Sequence, residues 1–287
     1  MIRRRLRSPK ERPWERGSSR LDAGYRRHWA AGRVKGHVSH DFWFADGPCA
    51  EPLVLFQHIP KTAGTAIRHL LHVNYGDVGA EVVPVPRHPS HEWFAELKAS
   101  LGDRLGSLRA VAGHSANYLV PLLEGRPVAA FTVIREPVDR VLSRYYFLTP
   151  VPDWTLADLY SGRRGKLNGK PPSFFNGQAR SLLDPLGDTA GMPLTADDPA
   201  AGEWRARLAE ALAAYAVLGT QDRLAETVEA LAALPGLDRR EVFRVRINRG
   251  RPTQSSLDAE TTELVRRYNW LDEELYRLAN ERLDAGR

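Results

Sequence analysis

A chain of 287 residues, 43% hydrophobic and 26% charged, has the length and apolar content of one generous globular domain carrying a tail. Its single cysteine, Cys49, excludes an intramolecular disulfide framework and a cysteine-rich metal site, and no run approaches the roughly 18 apolar residues of a membrane-spanning helix. The net charge of +6 is unevenly placed: residues 1–40 hold 12 Lys/Arg against 3 Asp/Glu, and the remainder holds 29 against 32.

The basic start, MIRRRLRSPKERPWERGSSR, lacks the apolar stretch of a secretory signal, so a cytoplasmic setting is expected. With few residues to bury, it reads as a solvated tail able to touch an anionic surface. The rest is net acidic, and no nucleic-acid partner is expected. Residues 1–50 are read as tail plus irregular lead-in, whose Trp29, Phe42, Trp43 and Phe44 suggest that its end packs on the body.

From residue 51 onward, strand-like and helix-like segments alternate. A strand is predicted at 53–57 (LVLFQ) and a helix at 64–73, then a strand at 81–85 and a helix near 92–100. LRAVAG (108–113) is a third strand, followed by a short helix at 116–123. VAAFTVI (128–134) is a fourth, and a helix from Pro137 to about Phe147 follows with proline in its first turn. Residues 149–200, rich in Gly, Pro and Asp, hold two short helices (154–160 and 176–183) and are expected to form a substrate-facing insertion. Helix 201–213, strand 216–219, helix 222–234, strand 242–247 and helices at 258–268 and 272–283 complete the chain. The alternation predicts an α/β domain over 51–287, a parallel sheet with helices on both faces.

Residues 53–70, LVLFQHIPKTAGTAIRHL, carry the first chemical signal. A buried strand feeds a small-residue loop that opens a helix. The unpaired N–H groups and dipole of the first helical turn favour an anion, to which Lys61 adds a full charge and Thr62 and Thr65 add hydroxyls. Lys61 precedes Gly64, so this is not a Walker A loop. The second signal is VAAFTVIREPVDRVLSRYYFL, residues 128–148, where Arg135 ends a strand and Ser143 lies two turns down the next helix. Both can meet one phosphate. The alternative for this element is an Arg135–Asp139 ion pair beside a solvent-facing Ser143.

Taken together, HIPKTAGT and IREPVDRVLSRYYF resemble the sulfotransferases that use 3′-phosphoadenosine 5′-phosphosulfate (PAPS), most closely the carbohydrate branch that includes heparan sulfate 2-O-sulfotransferases. The resemblance runs from about residue 53 to residue 280. It implies a P-loop-like three-layer α/β fold with a central parallel sheet flanked by helices. By match, Lys61, Thr62, Ala63, Gly64, Thr65 and Ala66 grip the 5′-phosphosulfate, and Arg135 and Ser143 the 3′-phosphate. Gly113-His114 resembles the Gly-His pair that supplies the catalytic base. Asn176-x-Gln178-x-Arg180 resembles a segment near the acceptor cleft, with Ala179 where the family has threonine, and Asn117 is a further candidate to orient the acceptor. Residues 247–256 followed by Tyr268-Asn269-Trp270-Leu271-Asp272 resemble the loop and terminal helix that close over the nucleotide, which makes Arg249 and Arg251 candidate nucleotide contacts.

Sulfuryl transfer is mainly positioning and charge stabilisation. Lys61 is the expected partner of the leaving oxygen, with its charge already present at neutral pH, so no metal is required there. His114 is the expected general base for an acceptor hydroxyl, and His58 is expected to pack under the loop. The expected acceptor is a saccharide or a glycosylated small molecule. A phenolic or tyrosine acceptor is the nearest alternative. A kinase would need a Walker A loop and a Mg²⁺-holding carboxylate, and neither is present. A non-catalytic module holding anionic glycans is disfavoured by the joint presence of Lys61, His114, Arg135 and Ser143, and by the net acidic body. Trp154, Phe174 and Phe175 lie in the insertion, where stacking on an acceptor and plain packing both stand open.

Overall fold

The structure, a computed structural model, describes residues 39–46, 52–75, 80–84, 91–102, 106, 108–114, 116–123, 126–147, 154–161, 172–183, 189, 191–238 and 256–286. Among these, six strands form one sheet: β1 (Ser39–Asp46), β2 (Leu53–Gln57), β3 (Ala80–Pro84), β4 (Leu108–Gly113), β5 (Val128–Ile134) and β6 (Tyr215–Thr220). Their spatial order is β3-β1-β4-β2-β5-β6. β4, β2, β5 and β6 run parallel and form the centre, whereas β1 is antiparallel to both β3 and β4.

The four parallel strands read as nearly unbroken apolar runs because both of their faces are covered. Side chains alternate across the sheet. Val54 and Phe56 of β2 pack with Ala110, Phe131 and Val133 against Ile67, Leu70 and Leu71 of helix Gly64–Tyr75 and Val228 and Leu231 of helix Leu224–Leu231. Leu53 and Leu55 face the other way, toward Ala179 and Leu182 of helix Gly177–Leu183, Leu208 and Leu212 of helix Ala201–Ala213, and Leu271, Leu275 and Ala279 of helix Trp270–Ala285. The result is three layers with the sheet in the middle. Each fully buried leucine of this kind contributes about 1.5–3 kcal/mol relative to exposure. Trp204 and Trp270 belong to the second core, at 5% and 8% exposure.

A third apolar cluster sits to the side. Val138, Val141, Leu142 and Tyr145 of helix Pro137–Tyr145 meet Leu156, Leu159 and Tyr160, Phe174 and Phe175, and Val265 of helix Ala259–Tyr268. Phe174 and Phe175 are buried there, and Trp154 meets Tyr145 and Phe174 edge to face, so these three rings pack within the domain.

β4, β5, the 3₁₀ helix Ala116–Leu123 and helix Ala201–Ala213 have the boundaries the sequence predicts. The lead-in differs. Residues 39–46 are a strand inserted between β3 and β4, not irregular chain. The predicted strand at 242–247, Arg249 and Arg251, most of residues 1–50 and parts of 149–200 lie outside the described residues. No helix among the described residues is long and apolar enough to cross a membrane.

Candidate functional site

β2 lies between β4 and β5: after β2 the chain goes out to β3 at the edge, returns as β4 on that side of β2, and then crosses to β5 on the other. In open α/β sheets, ligands bind outside the carboxyl ends of the strands at such a reversal point. The ends of β2 and β4 are level, with Gln57 paired to Gly113; β5 pairs Thr132 with Gln57 and runs two residues further, to Ile134. The residues that follow therefore gather at one place: His58 and the 60–66 loop after β2, His114 after β4 and Arg135 after β5.

The loop is held rigidly. The His58 amide donates to the Gly113 carbonyl at 2.9 Å, extending the ladder by one residue. The Thr62 hydroxyl is buried and donates to the Ile59 carbonyl at 2.8 Å, so it ties the loop to itself. Lys61 and Ala63 both have positive φ, at 76° and 69°, which turns the chain sharply into the helix. Helical geometry leaves the amides of Gly64 and Thr65 without intrahelical partners, while the Ala66 amide bonds to Ala63 O at 2.9 Å. The Lys61 ammonium lies over the Phe147 ring, 3.8 Å from its centroid, and Phe147 is itself 52% exposed.

His58 sits beneath this loop. A Cβ on Gly64 would lie 1.6 Å from His58 Nε2, so only glycine lets the helix start against the ring. The ring stacks between Phe56, at 5.4 Å, and His114, at 4.2 Å. Burial, then the neighbouring His114, Arg68 and Lys61, hold the His58 imidazole well below its ordinary value, so it is neutral. His114 Nδ1 lies 2.6 Å from the His58 carbonyl oxygen. A carbonyl only accepts, so Nδ1 carries the proton and Nε2 holds the basic lone pair.

Arg135 reaches in two directions. Nη1 donates to the Lys61 carbonyl at 3.1 Å, tying the end of β5 to the loop after β2. Nε donates to Asp139 at 2.7 Å, and Nη2 pairs with the same carboxylate. The ion pair that the spacing allowed is therefore present, and the Arg135 side chain is 13% exposed. Within helix Pro137–Tyr145, Asp139 and Ser143 stand at i and i+4, so the carboxylate that holds Arg135 is on the helix face that carries Ser143.

Asn176, Gln178 and Arg180 do different work. Asn176 and Gln178 are fully buried. Asn176 Oδ1 accepts from Leu271 N at 2.8 Å, capping helix Trp270–Ala285, and the Asn176 backbone amide donates to Asn269 Oδ1 at 2.9 Å, so the residues that precede the two helices are tied together. Gln178 makes a two-point pair with the Arg135 main chain: Oε1 accepts from Arg135 N at 2.9 Å, and Nε2 donates to Arg135 O at 2.8 Å. Arg180 donates to the Phe175 carbonyl at 2.8 Å and to the Thr189 carbonyl. All three side chains bond main-chain groups, and the buried Nδ2 of Asn176 is left without a partner. Asn117 lies three residues after His114; its amide donates to Gln57 Oε1 at 3.0 Å, and neither end of its buried carboxamide has a partner.

The sequence reading passed over two buried residues that frame this site. Gln57, fully buried, donates to the His114 carbonyl at 2.8 Å and to Ser181 O at 3.2 Å, pinning the segment that carries the histidine. Asp272, also fully buried, accepts from Gln178 N at 3.1 Å and Ala179 N at 2.8 Å. Burial raises its carboxyl above the ordinary range, while the Arg140 charge and those two amides pull it back. Burial likewise lowers the guanidinium of Arg140, which is itself fully enclosed and lies against Gly177. A polar residue ending an apolar run, as in LVLFQ, is the signal that could have found Gln57, since a buried amide must find partners.

A half-buried charge cluster adjoins the clamp. Arg266 bridges Glu136 at 2.8 Å and Glu273 at 2.7 Å. Glu136 in turn caps helix Pro137–Tyr145 by accepting from Asp139 N at 2.6 Å. Burial, first, and the nearby Glu136 and Asp272 push Glu273 up to about 7 against the pull of Arg266.

Compared with protein-family models and with curated proteins, the chain finds no match.

Proposed function

We propose that the protein is a PAPS-dependent O-sulfotransferase acting on a hydroxyl of a saccharide or glycosylated small molecule. The observation that carries this reading is the meeting of three groups at the carboxyl ends of adjacent parallel strands: the Lys61 loop, His114 with its basic nitrogen defined, and Arg135 bonded across to the loop. A donor with phosphate groups at both its 3′ and 5′ positions calls for two cationic groups, and Lys61 and Arg135 supply them from the segments that follow two neighbouring strands.

In this reading the phosphosulfate lies at the N-terminus of helix Gly64–Tyr75, against the amides of Gly64 and Thr65. The acceptor oxygen attacks sulfur as its proton passes to His114 Nε2. The bond from sulfur to the bridging phosphate oxygen breaks, and Lys61 neutralises the charge that collects on that oxygen. Adenosine 3′,5′-bisphosphate leaves. His58, neutral, backs the base without placing a second imidazolium beside it. The location that goes with this reading is the cytoplasm.

Isothermal titration with adenosine 3′,5′-bisphosphate tests the donor site, and release of that nucleotide from PAPS in the presence of saccharide or phenolic acceptors tests the reaction. Tight binding that falls sharply in Lys61→Ala and Arg135→Ala is expected. A folded protein that binds no bisphosphate would sink the reading. Turnover of phenols but not saccharides would move the acceptor class. Mg²⁺-dependent ATP turnover would favour a kinase.

A further inference from the structure

The main-chain position of Arg135 is set from a distant part of the chain. Arg135 follows the last residue of β5, where ladder bonding ends. The Gln178 carboxamide takes the place of a strand neighbour there, accepting from Arg135 N and donating to Arg135 O. Gln178 has little freedom of its own. It is fully buried, its backbone amide donates to both Asp272 oxygens at 3.1 Å, and the adjoining Ala179 amide holds the same carboxylate. A second path runs from helix Ala259–Tyr268 to the Arg135 side chain: Arg266 to Glu136, Glu136 to the Asp139 amide, and Asp139 to Arg135 Nε. The main chain of one arginine is thus braced from helix Trp270–Ala285 and its side chain from helix Ala259–Tyr268.

We infer that Gln178, itself fixed by Asp272, is a positioning residue that holds Arg135 in the geometry needed to grip the 3′-phosphate of the donor nucleotide. This rests on the donor reading above. It assigns Gln178 a role on the nucleotide side, with no acceptor contact required. A main-chain pair made by a side chain is a single point of failure. Without it, the residue after β5 loses both main-chain bonds that fix its backbone, while the contacts of its side chain with the Lys61 carbonyl and Asp139 act only at the guanidinium. Coupling of this kind is reciprocal, so bound bisphosphate should also tighten the docking of helix Trp270–Ala285.

The test compares adenosine 3′,5′-bisphosphate with adenosine 5′-monophosphate, which lacks the 3′-phosphate, by titration calorimetry on the full chain. Gln178→Met keeps the length of the side chain and removes both hydrogen bonds. The preference for the bisphosphate over the monophosphate should fall about tenfold, with monophosphate affinity nearly unchanged. Gln178→Glu supplies the second arm and covers a Met variant that does not fold. Its protonated carboxyl restores both the donor and the acceptor, so its preference should recover toward wild type as pH is lowered. A folded Met variant with wild-type preference overturns the inference. So does equal weakening of both nucleotides, and so does a Glu variant whose preference ignores pH. If the wild type binds neither nucleotide, the donor reading fails, and the inference with it. Wild-type binding with unchanged preference in the variants defeats the positioning role alone.

Discussion

Replacing Gly64 with alanine adds one methyl group at the most crowded point of the loop. The new Cβ would stand 1.6 Å from His58 Nε2, 2.1 Å from Cδ2 and 2.3 Å from Cε1. A flexible side-chain tip could swing clear, but this ring is stacked between Phe56 and His114. Either the ring leaves its stack or the helix start moves away from the sheet. Overpacking of this kind costs about 3 kcal/mol, at the upper end of its usual range. For a domain of this size that lowers Tm by about 6–12 °C, readable by thermal denaturation followed by circular dichroism. The cause can be isolated with the double variant Gly64→Ala/His58→Ala, in which the methyl has room. The pair should be less destabilised than the sum of the singles by about 1 kcal/mol or more. A Gly64→Ala protein that melts with the wild type, or a strictly additive double variant, would refute the packing argument.

His114→Asn keeps a donor for the His58 carbonyl and removes the basic nitrogen; bisphosphate affinity should hold while transfer falls by about 10²–10⁴, measured as nucleotide release. Asp272→Ala strands two buried amides and the Arg140 charge, and chemical denaturation should show a loss of about 3–5 kcal/mol, with Asp272→Asn milder. Glu273 has a folded value, about 7, above its ordinary one, so the stability it contributes is complete at low pH and is lost as pH rises through 7. Glu273→Gln should therefore flatten the decline in Tm between about pH 5 and pH 8, and an unchanged slope would remove Glu273 as its source.

The readable parts of this protein were those whose meaning is local. The runs LRAVAG and VAAFTVI carry their own strand signal, and the loops after them follow from where those strands stop. Lys61, His114 and Arg135 could be singled out because each stands at the end of such a run. β1 was not legible. SHDFWFAD mixes charges with aromatics, and it becomes a strand through pairing with Ala80–Pro84 and Leu108–Ala112, partners that its own residues do not announce. The framing residues were hidden for the same reason. Nothing around Gln178 announces that Arg135, 43 positions earlier, is bonded to both ends of its amide. Asp272 looks like an ordinary helix-start acid until helix Gly177–Leu183 is found resting on it. Buried polar residues take their roles from partners far along the chain.

The two left-handed residues of the loop bear on how the protein would change under selection. Lys61 and Ala63 each hold a conformation that costs a residue with a side chain about 1–2 kcal/mol, and glycine would hold it almost freely. Ala63→Gly is therefore an open route to a sturdier fold. The same change would widen the range of shapes available to the loop and leave its amides less well ordered before an anion arrives. Selection for heat resistance alone would favour the substitution, and, on the sulfotransferase reading, selection for fast turnover would oppose it. An alanine at position 63 is what a loop keeps when readiness outweighs robustness.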